Sequence, residues 1–286
     1  MAKVRIVADS SARPPNPELW DHPLLTPAPV HIRANGIEDV EDPRRTLGSY
    51  RSLLANASVP LAEPASVDTM VQIYGQLFEQ SDQILSLHPA QSVSRGWANA
   101  RQASDLFRGR CDIQVIDSQS LSAGLGLLVE AAVLAAEQDE PLEEIVRLVR
   151  GMIPRMYLVF FLDDLLHLER YGLITASQAI LGNMLGVIAF LTMEDGRLIP
   201  MEKVRSRPRA LEKLVEFVAE FTDLEHIAVL QPSERKADDG RWVAERLAGL
   251  HPATPITFAD YGPAVATLVG QQSVGVIVLE AEDDLP

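Results

Sequence analysis

The sequence predicts two α/β domains: a parallel-sheet domain over residues 1–155, then an α+β domain with an antiparallel sheet over 156–286. Three observations carry this expectation. Strand-like and helix-like segments alternate from about residue 66 to 151, as in a parallel layer built from crossover units. Beyond Met156 the style changes, because 187–193 and 197–204 flank the turn Glu194-Asp195-Gly196 and so pair as an antiparallel hairpin. The apolar run 274–279 reads as one more buried strand.

The first strand, 4–8, ends at Asp9-Ser10-Ser11 and enters a segment holding Pro14, Pro15, Pro17, Pro23, Pro27 and Pro29. Their missing N–H groups are expected to forbid a regular ladder there. Residues 29–33 and 37–40 flank Asn35-Gly36, a favoured type I′ pair, so a small β excursion is expected near 28–60. Apolar spacing then gives a helix at 66–79, a strand at 84–87, a helix at 94–107, a strand at 113–116 and a helix at 121–136. Another helix follows Pro141, a residue suited to a first helical turn. In the second half, strand 156–162 and two short helices precede the hairpin. A helix at about 207–222 and a strand, helix and strand to about 259 follow it.

The chain has 286 residues, with 40 Asp and Glu against 25 Lys and Arg and a formal net charge of −15. Such a field repels phosphate backbones and anionic lipid surfaces, which sets aside nucleic-acid and peripheral-membrane binding by bulk charge. Hydrophobic residues make up 47% and aromatics 6%, so a mainly aliphatic core is available and disorder is not expected. Cys111 is the only cysteine, which rules out an intramolecular disulfide and a thiolate metal cluster. The N-terminus has no secretory signal pattern. The run 156–162 is too short for a membrane span, and 179–193 is interrupted by Gly182, Asn183 and Gly186. A cytoplasmic protein is expected.

No two of the six histidines fall three or four residues apart, so no helical metal pair exists and no metal is expected. Gly124-Leu125-Gly126 is a fragment of a phosphate-binding fingerprint and reads as close packing at a strand-to-helix turn. Asp163, Asp164 and Glu169, beside Arg170, read as a solvated acidic face. More informative are three polar turns that follow strands: Asp9-Ser10-Ser11, the turn from Ser92 to Gly96, and Asp117-Ser118-Gln119-Ser120. In a parallel sheet these strand ends share a rim, so hydroxyls and helix N-termini converge on one crevice. Each serine, Ser94 included, also reads by itself as a helix cap or turn residue.

Six ordered blocks make the chain similar to the DegV family of fatty-acid-binding proteins. Ile6-Val-Ala-Asp9-Ser10-Ser11 resembles the family's I-x-T-D-S-S opening. Ile113 to Gly126 follows its V-x-V-I-D-S-x-x-x-S-x-G-x-G segment, and Tyr171 to Leu185 looks like its G-G-R-I-S-x-x-x-A-x-L-G-x-L-L region. Glu194-Asp195-Gly196, Lys203 to Arg207 and Gly262 to Gly275 resemble its hairpin, its K-V-R-T-R segment and its final G-P motif. The resemblance implies two domains with a fatty acid between them, the tail buried and the carboxylate held by hydroxyls. In members coupled to a fatty-acid kinase, the carrier presents that carboxylate for phosphorylation and does no chemistry itself.

The chain departs from the family at the head group. The T-S-Q-P-S motif aligns on Ala62-Glu63-Pro64-Ala65-Ser66, placing Ala62 at the carboxylate-binding threonine. L-S-G-T aligns on Val93-Ser94-Arg95-Gly96 and keeps its central serine, while Leu268, after Thr267, stands at the last motif's histidine. The ligand-binding set thus implied is Ser94, Arg95, Gly96, Ala62, Glu63, Ser66, Thr267 and Leu268, with no catalytic residue. Of two arginines that face the kinase in the family, Arg205 remains as partner-facing and Leu173 replaces the other.

Burying a chain of about 16 carbons contributes roughly 0.8 kcal/mol per CH₂, on the order of 12 kcal/mol gross, so the tail supplies affinity and the head group selects. An ionised carboxylate beside Glu63 meets like-charge repulsion unless it is protonated or Arg95 compensates. One expectation is therefore a retained lipid site with altered head-group preference. The other places Glu63 and Arg95 in solvent, with an ordinary fatty acid held by Ser94 and backbone N–H groups. Two further readings stand beside these: a hydrolase or acyltransferase using Ser94 as nucleophile, and a regulatory interaction protein with a degenerate pocket.

Overall fold

The computed structural model describes residues 3–54, 60–162, 164–170, 172, 174–232 and 237–282. Its first half contains β1 (Arg5–Asp9), β2 (Leu25–Ala28), β3 (His31–Ala34), β4 (Ile37–Val40), α1 (Arg51–Leu54), β5 (Leu61–Glu63), α2 (Val67–Phe78) and β6 (Gln83–His88). Then come α3 (Gly96–Ser104), β7 (Asp112–Asp117), α4 (Ser122–Glu137) and α5 (Leu142–Met152). β2, β1, β6 and β7 stand side by side in that order, all parallel. Ile6, Val7 and Ala8 of β1 have no solvent contact, as a central parallel strand covered on both faces requires.

Two local outcomes follow from turn chemistry. Asn35 and Gly36 both have positive φ, 52° and 77°, as a type I′ turn demands, and β3 pairs with β4 across them. With β5 on the other side of β3, this is the expected β excursion, a three-stranded sheet. The proline-rich segment, in contrast, does contain a ladder: β2 pairs with β1, with Pro27 opposite Ala8. The Ile6 and Ser10 N–H groups donate to the Leu24 and Ala28 carbonyls, so the even-numbered residues of β2 bond β1. Pro27 therefore turns its missing donor toward the open edge, where a strand tolerates proline.

The second half comprises β8 (Met156–Leu162), α6 (Leu166–Arg170), α7 (Ala176–Met184), β9 (Ile188–Glu194), β10 (Arg197–Val204) and α8 (Arg207–Val218). After these come β11 (Leu224–Gln231), α9 (Ala237–Leu250), β12 (Ile256–Asp260), α10 (Gly262–Val269) and β13 (Val274–Glu280). The sheet order is β10-β9-β8-β13-β11-β12. It is antiparallel except at its edge, where β12 runs parallel to β11. The expected antiparallel sheet is thus a mixed one, because α9 carries the chain back as a crossover before β12 begins.

α4 is apolar all round and joins the halves, packing on β1 and β6 and also on β13. A Cβ on Gly124 would lie 2.6 Å from Met156 Sδ, and one on Gly126 would lie 2.1 Å from the Arg13 carbonyl oxygen. The glycine pair is thus a close-packing device. The largest hydrophobic cluster runs through α4 from the parallel sheet to the mixed sheet. Separate clusters lie under α8 and α9 and under α2 and α3. Among the described residues no helix is long and apolar enough to cross a membrane, and no group of three side chains is placed to hold a metal ion. Asp163 lies outside the described residues. Asp164 accepts the Leu166 N–H at the start of α6.

Candidate functional site

The crevice expected at the strand ends is a cavity of about 410 Å³, within the range of small-molecule sites. Asp9 and Ser11 follow from β1, Leu61 and Ala62 from β5, and Val93 and Ser94 from the turn after β6. Leu121, ahead of α4, and Val265, Thr267 and Leu268 of α10 are also part of the wall. Leu121 and Val265 also border a much smaller apolar space of about 10 Å³ against Phe160, Leu230 and Val274 of the mixed sheet.

Asp9 and Ser94 mark the polar end. Asp9 Oδ1 accepts the Ser11 N–H at 3.0 Å and the Ser11 hydroxyl at 2.5 Å. Burial pushes the Asp9 carboxyl up, against the lowering effects of the Ser11 hydrogen bonds and the Arg13 charge. Ser94 Oγ accepts the Gly96 N–H at 3.1 Å as α3 begins. A Cβ on Gly96 would stand 3.2 Å from His88 Nδ1, 3.3 Å from Ser94 Oγ and 3.4 Å from Asp9 Oδ2, so a side chain there would press on all three groups.

His88 is fully buried, and burial pushes its imidazole down to about 3. The Tyr74 hydroxyl donates to Ser86 Oγ, and Ser86 Oγ lies 2.8 Å from His88 Nε2. With the Ser86 proton given to Nε2, the neutral ring carries its own proton on Nδ1, which has no hydrogen-bond partner.

Beneath the cavity Arg13 pairs with Glu41. The same guanidinium donates to the carbonyls of Asp260, Ser10 and Ala12, each at 2.9 Å. Glu41 Oε2 accepts the Ala264 N–H at 3.1 Å, and burial pushes this carboxyl up to about 7. Sequence reasoning missed both residues. Arg13 sits beside prolines and Glu41 in an acidic run that resembles any solvated loop; only the three-dimensional fold buries them.

Of the sequence-derived site residues, Ala62, Ser94, Thr267 and Leu268 meet at the cavity. The others lie off its wall. Glu63 forms an ion pair with Arg33 at 2.8 Å, and its side chain is 46% exposed. Arg95 is exposed, Ser66 caps α2 by accepting the Thr69 N–H, and Gly96 lies behind Ser94. Arg205 is exposed between β10 and α8, and Leu173 lies outside the described residues. The turn at Asp117 does not reach the cavity either: Asp117 accepts from Gln91, and Ser118 bonds Ser120.

The fold has close counterparts among solved structures. A fatty acid binding DegV family protein from Streptococcus agalactiae superposes with a TM-score of 0.84 at 24% identity, covering 99% of this chain and 100% of that one. The DegV fatty acid binding protein from Bacillus subtilis gives 0.84 at 20%, covering 98% and 100%. A family member from Eubacterium eligens loaded with heptadecanoic acid gives 0.82 at 16%, covering 97% and 100%. In sequence, the chain is 26% identical over 222 residues to a DegV domain-containing protein of Clostridium acetobutylicum, covering 76% of this chain and 78% of that protein. It is 24% identical over 279 residues to Protein DegV of Bacillus subtilis, covering 96% and 98%. The match to the DegV family, whose description is of uncharacterised proteins, runs over residues 3–281, nearly end to end, and so the chain belongs to the DegV family.

Proposed function

We propose that this protein is a non-catalytic, cytoplasmic carrier that sequesters or presents a long-chain fatty acid or a related amphiphile. The observation that carries the reading is the cavity itself: a largely apolar space between the parallel sheet and α10, polar at Asp9, Ser11 and Ser94. The tail would leave the polar end past Leu121 and Val265, toward the second apolar space against the mixed sheet. Residues 1–155 and 156–286 are taken as the two units that enclose it. The solved relatives described as fatty acid binding support the ligand class.

Non-catalysis is supported by the state of the two groups a hydrolase would need. Ser94 Oγ is held by the Gly96 N–H, and His88 has Nε2 bound to Ser86 and an imidazole pushed down to about 3, a poor general base near neutral pH. Presentation to a fatty-acid kinase would use the exposed surface near Arg205. Native mass spectrometry followed by lipid extraction of the purified protein should reveal an acyl chain, and repeated preparations with an empty cavity would overturn the carrier reading. Transfer of phosphate to bound lipid by an added fatty-acid kinase, lost on Arg205→Ala, would test the partner.

A further inference from the structure

We propose that Asp9 is a head-group residue of this carrier, and that one proton shared between its Oδ2 and the ligand carboxylate takes the place of a cation. The inference rests on the carrier reading above. No Lys, Arg or His is among the described residues that line the cavity. A fatty acid bound there brings its carboxylate to the buried Asp9 carboxyl, and two bare anions in one desolvated space repel each other. A proton between them turns that repulsion into a charge-assisted O–H···O⁻ bond, the short and strong kind.

The geometry singles out one oxygen. Asp9 is buried yet lines the cavity, and both of its hydrogen bonds, from the Ser11 N–H and the Ser11 hydroxyl, go to Oδ1. Among the described residues no protein group donates to Oδ2. Oδ2 and Ser94 Oγ stand 3.4 Å and 3.3 Å from one point, where a Cβ on Gly96 would lie, so a single carboxylate can meet both. Ser94 has a proton to give it, because its oxygen accepts the Gly96 N–H. The Thr267 hydroxyl is already committed, donating to the Ala264 carbonyl at 2.7 Å.

The groups around Asp9 favour a proton there. Burial raises its carboxyl more than the Ser11 hydrogen bonds and the Arg13 charge lower it. Arg13, on the same segment, is engaged by Glu41 and by the carbonyls of Asp260, Ser10 and Ala12. Glu41, after β4, adds a negative neighbour, and each of the two acids disfavours ionisation of the other. His88, at the end of β6, is kept neutral by burial, Arg95 before α3 is exposed, and α10 carries no titratable residue. Gly96 opens α3 against Oδ2, so the positive end of that helix faces the single negative charge that the proton-sharing pair retains.

The test is displacement of a fluorescent lipid by oleate, kept below its aggregation concentration, from the full chain and from its Asp9→Asn variant between about pH 6 and about pH 9, where oleate is ionised. Asn keeps an acceptor for Ser11 and puts a permanent N–H donor where the shared proton would sit. As pH rises the shared proton is lost and the amide donor is not, so the unmodified protein should lose at least about tenfold in oleate affinity relative to the variant. Glu41 titrates in both proteins, and the ratio therefore isolates Asp9. A ratio that stays constant or moves the other way overturns this inference and leaves the carrier reading intact; no oleate binding by either protein at any pH overturns both. 1-Oleoylglycerol, with the same acyl chain and no carboxylate, gives a reference that needs no variant: on the unmodified protein, oleate should lose at least about tenfold against it over the same range. Parallel profiles for the two lipids would overturn the inference even if the Asn variant does not fold.

Discussion

Glu41 and Arg13 form an ion pair that is almost wholly out of water, the carboxylate side chain 0% and the guanidinium side chain 8% exposed. Arg13 follows β1, Glu41 follows β4, and Glu41 also accepts the Ala264 N–H of α10, so one pair ties the parallel sheet, the small sheet and the second half together. Removing one partner strands a buried charge, at a cost of about 3–5 kcal/mol, whereas replacing both by apolar groups of similar volume costs much less. Glu41→Ala should therefore lower stability by about 3–5 kcal/mol in urea unfolding at about pH 8, and the double change Arg13→Met, Glu41→Leu should recover most of it. Equal losses in the single and double variants would contradict this account.

The same carboxyl makes stability depend on pH with a definite sign. Burial raises Glu41 from 4.5 to about 7. Between those values the native protein holds a proton that the unfolded chain has lost, so this contribution is fully present below 4.5 and is lost as pH rises toward about 7. Glu41→Gln removes the titration. Urea unfolding over that window should show the stability of the unmodified protein falling relative to the Gln variant as pH rises; a difference of opposite slope would sink the argument.

Gly262 packs directly against the pair. Its φ is +64°, and a Cβ there would stand 1.9 Å from Arg13 Nη2 and 2.2 Å from Glu41 Oε1. Gly36 has a similar φ of +77° with nothing within 4 Å of such a Cβ. Gly36→Ala should then cost only the left-handed backbone term, about 1–2 kcal/mol, while Gly262→Ala adds displacement of a buried ion pair and should cost clearly more. Thermal unfolding of the two variants side by side checks this, and similar losses would mean the pair can shift freely.

Much of the fold was legible because its signals are local. Asn35-Gly36 dictates a type I′ turn wherever it stands, and the buried run of β1 needs helices on both faces. β2 was hidden because proline is forbidden only where its N–H would face a neighbour, and edge position is a property of the whole sheet. The parallel pairing of β12 follows instead from the α9 crossover, a strand, helix and strand that the sequence already shows. At the site, Ser94 and the Asp9 turn announced themselves as polar residues at strand ends. Glu41 gave no such signal: Glu38, Asp39, Glu41 and Asp42 share one acidic run, and only tertiary packing distinguishes the buried one.

Glu63 shows how a motif alignment and a structure can disagree about which acid matters. Adjacent in sequence to Ala62, it is expected from the alignment to repel an anionic head group, yet its side chain turns away from the cavity to Arg33. Pairs this exposed contribute about 0–1 kcal/mol, and the charge is screened by solvent. Glu63→Thr should therefore leave lipid affinity within about twofold and stability within about 1 kcal/mol. Ser94→Ala, in contrast, deletes a hydroxyl at the polar end of the cavity and should weaken lipid binding by about fivefold, the worth of one hydrogen bond. Measuring both variants by lipid displacement places the selecting group: a large effect at Glu63 with none at Ser94 would move the head group out of the cavity and onto the small sheet.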